Sequence, residues 1–190
     1  MSEERIKILG ITGPSGCGKD TAARWLAETY PTKFQYIKLH TTRPKRNEED
    51  NGYIFCEPKE FLEQVLNGNM LNAQEFRGWY YGLSKDALYD TYINVIPMNN
   101  EMITQMLEEK RKDYDLKLIY IHTNDKERLL HILNREEEPD CEEVCRRFLS
   151  DKDDYNYLLA QECEYGIKNN YNNLFFKTLQ RNAEACFVGD

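Results

Sequence analysis

The chain has no excess of positive charge. Among its 190 residues, 25 Lys and Arg stand against 33 Asp and Glu, a formal net charge of −8 with a pI near 5.1. No general basic field exists to hold a nucleic-acid backbone, so any anionic ligand must be met by a local basic cluster, and a small phosphorylated molecule fits that better than DNA. Paired cysteines are missing too. Cys17, Cys56, Cys141, Cys145, Cys163 and Cys186 include no CxxC spacing. Cys141 and Cys145 fall one helical turn apart, but with no second pair they read as half-buried thiols rather than a metal site. The opening MSEERIKIL lacks the apolar core of a secretory signal. No apolar run approaches the ~20 residues that cross a bilayer, so no membrane partner is expected. Reduced thiols and a cytoplasmic location are the expectation. Internal repeats and low-complexity linkers are also absent. What is present is 41% hydrophobic residues, enough for the core of one compact folding unit.

Apolar periodicity orders that unit. Ile6 to Thr12 (IKILGIT) is a strand-like run that meets glycine, and Asp20 to Tyr30 follows with Ala22, Ala23, Leu26 and Ala27 at helical spacing. Strand, loop and helix are predicted in that order. A second β-like run, Tyr36 to His40, enters TTRPKRNEEDNGY, where Pro44, Asn51 and Gly52 forbid a long helix. Pro58 to Leu66 places Phe61, Leu62, Val65 and Leu66 on one helical face, and the turn residues from Asn67 end it. Strands are predicted at Ile93 to Met98 and Leu116 to Thr123, with a helix at Glu101 to Lys112 between them. Asp125 to Asn134 reads as a helix, and the chain turns at Pro139 and resumes a charged helix, the pattern of a flap. The tail is expected to hold a helix and a last strand near Gly166 to Lys168. Strands alternating with helices imply an α/β fold with a parallel sheet.

GPSGCGKD, Gly13 to Asp20, matches GxxxxGK and departs only where Ser or Thr is usual. Gly13, Gly16 and Gly18 allow the backbone N–H groups of Ser15, Cys17 and their neighbours to converge on phosphate oxygens. Lys19 would neutralise the terminal phosphates, and the helix N-terminus that follows favours negative charge. With a strand before and a helix after, this is a nucleotide loop. Asp20 replaces the hydroxyl that ordinarily contacts Mg²⁺. A carboxylate is also a hard oxygen ligand, and Thr21 offers a hydroxyl one residue late, so both are candidate metal ligands. Asp20 could instead simply complement the helix dipole.

TTRPKRNEEDNGYIF, taken with GPSGCGKDT and EFRGWYYGLS, resembles the guanylate kinase family in consistent order from about Ile6 to about Lys168. The resemblance implies a P-loop NTPase core with a parallel sheet flanked by helices, at residues 1–36 and 93–190. It further implies a nucleoside monophosphate-binding insertion at 37–92 and a lid at about 135–150. The implied reaction moves the γ-phosphoryl of ATP, with Mg²⁺, to a small nucleotide substrate, GMP or dGMP first. Carried over by position, Arg43 and Arg46 grip the acceptor phosphate with bidentate guanidinium forks, Tyr53 and Tyr81 add phenolic hydrogen bonds, and Glu49 orients the arginines. Arg135 and Arg147 match lid arginines, with Arg146 adjacent. Alternatively the charges of that segment only pair along their own helix, with Glu142 and Glu143 as partners. Such phosphoryl transfer demands no protein acid or base.

The departures share a direction. The family's acid that accepts from the guanine N–H groups is Asn72 here, and its acids after the next strand fall at Pro97 to Asn99. A family serine is Leu83, and one lid arginine is His131. Phosphate-handling residues stay while base-reading acids go, so guanine selectivity should weaken or turn toward another ring. Other readings are a kinase for another (deoxy)nucleotide or for ribose 1,5-bisphosphate, whose kinases share the GKD loop, and a non-catalytic guanylate-kinase-like phosphopeptide-binding module. The intact loop argues against the last.

Overall fold

The computed structural model describes residues 5–45, 48, 50–76, 78–110, 114–134, 138–158 and 162–188. The chain begins with β1 (Ile6–Thr12) and α1 (Lys19–Thr29), then β2 (Phe34–Tyr36), β3 (Leu39–Thr41) and β4 (Tyr53–Phe55). It continues through α2 (Pro58–Leu66), the hairpin β5 (Met70–Phe76) and β6 (Trp79–Ser84), β7 (Ile93–Met98) and α3 (Asn100–Lys110). The last part is β8 (Tyr114–His122), α4 (Asp125–Leu133), α5 (Cys141–Leu158), β9 (Tyr165–Lys168) and α6 (Asn173–Ala185).

Five strands form one parallel sheet in the order β2-β7-β1-β8-β9. Its central strand is apolar on both faces because both faces are covered. Leu9 and Ile11 join the α1 residues Ala22, Ala23 and Leu26 and the α6 residues Phe175, Leu179 and Ala183 in one core. On the other face, Ile8 packs with Met102, Ile103 and Met106 of α3 and Tyr155 of α5. Helices on both sides of a parallel sheet put the loop after β1 at the carboxyl edge of the middle strand, the place where such sheets bind ligands.

A second sheet of order β4-β3-β6-β5 is mixed: β3 runs parallel to β4, while β6 is antiparallel to β3 and β5. The predicted run Tyr36 to His40 is therefore not one strand. Ile37 donates its N–H to Val95 O at 3.0 Å, its tie to the first sheet, and by Leu39 the chain pairs with Tyr53 in the second. Two residues, Ile37 and Lys38, carry the chain from one sheet to the other.

α2 starts with a capping box in which Glu57 and Glu60 satisfy each other's backbone N–H groups, and with Pro58 in its first turn. Only Phe61 of its expected apolar stripe is buried, stacked on Tyr80 at 5.5 Å. Leu62, Val65 and Leu66 are exposed. The helix meets the narrow second sheet through one ring, and the rest of the stripe has no partner surface among the described residues.

Candidate active site

The loop Gly13 to Asp20 joins β1 to α1, and its backbone conformations explain its glycines. Gly13 has φ 148°, and a Cβ there would lie 2.1 Å from Ile121 O. Gly16 has φ 78°, and a Cβ there would lie 2.6 Å from Arg128 O. Neither position admits a side chain without moving backbone. Gly18 is the N-cap of α1 and supplies no capping side chain, so the first-turn N–H groups of the helix remain available to an anion in front of the loop.

The loop is also tied from behind. Cys17 is buried, its N–H bonded to Pro14 O at 3.1 Å and its carbonyl accepting from Asn169 Nδ2 at 2.9 Å. Tyr171, with φ 52°, donates its hydroxyl to Gly16 O at 2.8 Å and stacks on His131 with centroids 4.2 Å apart. Ser15 gives its N–H to Asp151 Oδ2 at 2.8 Å, and its carbonyl accepts from Arg128 Nε at 3.0 Å, so the Ser15 and Cys17 amides, expected to converge on phosphate, are instead bonded within the protein.

Lys19 is half-buried in the first turn of α1. Burial opposes its ammonium form, yet the Asp20 carboxylate, with further contributions from Cys17, Tyr155 and Tyr53, raises its pKa above the ordinary lysine value. It stays charged throughout the neutral range. Tyr53 lies in the second sheet and its hydroxyl is pushed up to about 12 by burial and then by Asp20, with Lys19 acting the other way. The loop cation and the Tyr53 phenol therefore lie within electrostatic reach of each other.

Asp20 and Thr21 are both exposed at the start of α1. Among the described residues no group of three or more His, Cys, Asp or Glu side chains could cage a metal. Two hard oxygen donors on an open helix start suit Mg²⁺, which keeps several waters and takes one or two protein ligands together with substrate phosphates.

On the acceptor side, Arg43 is held in place. Its Nη2 bonds Asp50 Oδ2 at 2.8 Å and its Nη1 donates to Pro44 O at 2.6 Å, while the guanidinium lies 5.6 Å from the Tyr53 ring and 5.4 Å from the Phe55 ring. Tyr53 and Tyr81 meet edge to face at 5.9 Å. Arg43, Tyr53 and Tyr81 are thus brought together as expected, with Asp50 as an orienting acid that sequence reasoning missed. Arg46 and Glu49 lie outside the described residues. Arg24 of α1 donates to Asn51 Oδ1 at 3.2 Å and sits over Tyr36, joining the acceptor loop to the helix that carries Lys19.

Asn72 is buried and donates its amide to Gln105 Oε1 of α3. Opposite Tyr81 in the β5·β6 register stands Gln74, also buried, whose Oε1 has no hydrogen-bond partner among the described residues. Asn99 spends its side-chain oxygen on the N–H of Met102, capping α3. Neutral amides, Asn72 and Asn99, therefore stand at positions where the resemblance placed carboxylates.

On the lid side, Arg147 pairs with Glu143 at 3.0 Å along α5, and Arg146 pairs with the same acid at 2.9 Å. The helix-pairing alternative thus describes Arg147 in this arrangement, and Arg135 lies outside the described residues. Arg128, Asp151, Asn169 and Tyr171 were not anticipated. Asn169 and Tyr171 follow the last strand, and a polar run, NNYNN, at a strand's carboxyl end was the available signal. For Arg128 it was a charge four residues before Ile132, on the buried face of α4.

Known proteins resemble this chain over most of its length. The family model described as Guanylate kinase matches residues 5–185. A guanylate kinase of Streptococcus pneumoniae (strain ATCC BAA-255 / R6) is 31% identical over 169 residues, covering 87% of this chain and 80% of the relative. One from Streptococcus agalactiae serotype III (strain NEM316) is 31% identical over 188 residues, covering 97% and 88%. Among solved structures, guanylate kinase from Anaplasma phagocytophilum shares the fold with a TM-score of 0.64 at 22% identity, over 98% of this chain and 87% of that one. A match running from before β1 to the end of α6, and including the loop, the arginine segment and the tyrosine strand, leaves one assignment: the chain belongs to the guanylate kinase family.

Proposed function

We propose that the chain transfers the γ-phosphoryl group of ATP to the phosphate of a nucleoside monophosphate, GMP or dGMP first, releasing ADP. The observation that carries this reading is the joining of two sites: Lys19 at the start of α1, and Arg43 beside Tyr53 on the second sheet, with Arg24 of α1 bonded to Asn51 of the segment that leads from Arg43 to Tyr53. Division of labour follows. Residues 1–36 and 93–190 hold ATP, residues 37–92 hold the acceptor, and the segment at about 135–150 closes over both.

Each residue's task follows from its chemistry. The amides of Gly16 and Gly18 and the start of α1 cradle the ATP phosphates, those of Ser15 and Cys17 being bonded to Asp151 and Pro14, and Lys19 offsets charge on the terminal ones. Arg43 and Arg46, steadied by Asp50 and Glu49, fix the acceptor phosphate so that one of its oxygens points in line at the γ-phosphorus. Tyr53 and Tyr81 donate hydrogen bonds to the same phosphate. That oxygen forms the new P–O bond, the bond to the bridging β–γ oxygen breaks, and ADP leaves with the electron pair. Asp20 and Thr21 would hold Mg²⁺, which when bound neutralises phosphate charge. Arg135 and Arg147 add charge from the lid, Arg147 after release from Glu143.

A family match over nearly the whole chain favours the nucleotide over ribose 1,5-bisphosphate, and the complete loop weighs against a phosphopeptide-binding module. Six free thiols and dependence on ATP suit the cytoplasm; among the described residues no helix is long and apolar enough to cross a membrane. The test is ADP formation from ATP and Mg²⁺ with each ribo- and deoxyribonucleoside monophosphate and with ribose 1,5-bisphosphate. Turnover with GMP or dGMP supports the proposal; turnover with the sugar phosphate alone, or with nothing, rejects it.

A further inference from the structure

A buried ion pair stands directly behind the nucleotide loop and takes no part in the reaction above. Arg128 of α4 is 4% exposed. Its Nη2 bonds Asp151 Oδ2 of α5 at 2.9 Å, its Nη1 bonds Asp125 Oδ1 at 3.0 Å, and the Phe148 ring covers the guanidinium at 4.8 Å. Burying such a pair costs desolvation that apolar side chains of similar volume would avoid, so stability alone is a weak reason for it to be there.

Its other bonds supply a better reason. Arg128 Nε donates to the carbonyl of Ser15 at 3.0 Å, and Asp151 Oδ2 accepts the Ser15 N–H at 2.8 Å, with the Ser15 hydroxyl 3.5 Å from Asp151 Oδ1. Both backbone groups of one loop residue are held, one by each helix, and the two holders are bonded to each other. Ser15 lies two residues after Gly13 and directly before Gly16, the loop positions with φ of 148° and 78°. Glycines make the phosphate-binding conformation accessible but do not select it, and an unrestrained loop would have to be ordered when ligand binds. The pairing also reduces a charge problem. Asp151 alone would repel an incoming polyphosphate, and the Arg128 guanidinium, which it shares with Asp125, weakens that repulsion.

We propose that Arg128 and Asp151 are positioning residues that clamp the Ser15 peptide, pre-forming the loop for ATP and linking it to α4, which precedes the expected lid, and to α5, whose first half belongs to it. This rests on the loop being the ATP site. The clamp touches neither reacting atoms nor acceptor, so its loss should appear in ATP affinity and not in acceptor affinity.

The experiment measures ATP binding by calorimetry, KM for ATP and for the acceptor, and melting temperature, in the wild type, in Asp151→Asn, and in the double variant Arg128→Met with Asp151→Leu. The double variant exchanges the ion pair for an apolar pair of similar volume. The expected result is about tenfold weaker ATP binding in both variants, an acceptor KM within about twofold of wild type, and a melting temperature restored in the double variant but not in Asp151→Asn. Hydrogen exchange of the loop amides should quicken in the double variant although its melting temperature is recovered. If the double variant regains ATP affinity along with stability, the pair is structural only and the proposal falls. Equal weakening toward ATP and acceptor also overturns it. A wild type that binds no ATP overturns the nucleotide-site reading itself, a result distinct from wild-type binding that the variants leave unchanged.

Discussion

The loop end and the acceptor end of the cavity are held by different kinds of chemistry. At the loop the geometry is made by backbone: Gly13 and Gly16 in positive-φ conformations, Ser15 bonded on both sides, Cys17 and Gly16 carbonyls accepting from Asn169 and Tyr171. At the acceptor end it is made by side chains, and they divide again. Arg43 and the two tyrosines cluster in a way that suits a phosphate, whereas Asn72 presents an amide where an acid was expected and bonds a second amide, Gln105. A polyphosphate is recognised by converging donors and fixed charge, which few residues can supply. A base edge is read by interchangeable donors and acceptors, so that part of a site can be rewritten without disturbing the rest.

The largest effects should come from the loop. Lys19→Ala removes the charge that Asp20 helps to keep protonated, and turnover should fall by about 10²–10³-fold in a steady-state assay, on the scale of losing a charge-stabilising group; near wild-type turnover would dissolve the contrast at its stronger side. Gly13→Ala places a Cβ against Ile121 O and asks an L-residue to adopt φ 148°. ATP binding should be lost and stability should drop by at least about 1 kcal/mol, measured by denaturant titration.

Arg43→Ala should act on the acceptor side alone. We expect about a 10²-fold fall in kcat/KM for the acceptor with the KM for ATP within about twofold, because the guanidinium is bonded to Asp50 and Pro44 and lies over Tyr53 and Phe55, all between β3 and the end of β4. An equal fall in kcat/KM for the acceptor and for ATP would mean the two ends are not separable. A smaller change sharpens the comparison: Asn72→Glu restores an acceptor for the guanine N–H groups, and the ratio of kcat/KM for GMP over IMP should rise by about tenfold. An unchanged ratio would remove Asn72 from base reading.

The same contrast explains what could be read from the residues alone. The loop, α1, the parallel strands and the short strand near Gly166 to Lys168 were legible because apolar period and glycine spacing are local properties. The clustering of Arg43, Tyr53 and Tyr81 was legible only through the resemblance, since neither the Thr41 to Tyr53 loop nor YYGLS has a local pattern that says ligand. What escaped was set by tertiary contact. Ile37 leaves the first sheet because β3 finds β4, Leu62 and Leu66 stay in solvent because only Phe61 reaches Tyr80, and Arg128 is buried because Asp151, 23 residues later, comes to meet it. No window of sequence contains both members of such a pair.

The smallest predicted effect concerns the thiols, and it tests whether the loop end is as closed as its bonds imply. Cys141 and Cys145 are exposed on α5, while Cys17 is fully buried under the loop with its thiol pushed up by desolvation. Burial and then Glu164 push Cys163 up to about 11 and Cys186 up to about 12. Only the thiolate attacks a maleimide, so at pH 8, below each raised pKa, the buried groups have little reactive form as well as little access. Mass spectrometry after brief treatment should find Cys141 and Cys145 labelled first and Cys17 last, with ATP binding retained in the doubly labelled protein. Asp151 lies six residues past Cys145 on the same helix, so retained binding would show that α5 accepts a change on its exposed face without loosening its hold on Ser15. Early labelling of Cys17 would mean that the loop opens on its own, and a loop that opens freely would not be held more firmly than the acceptor side it is set against.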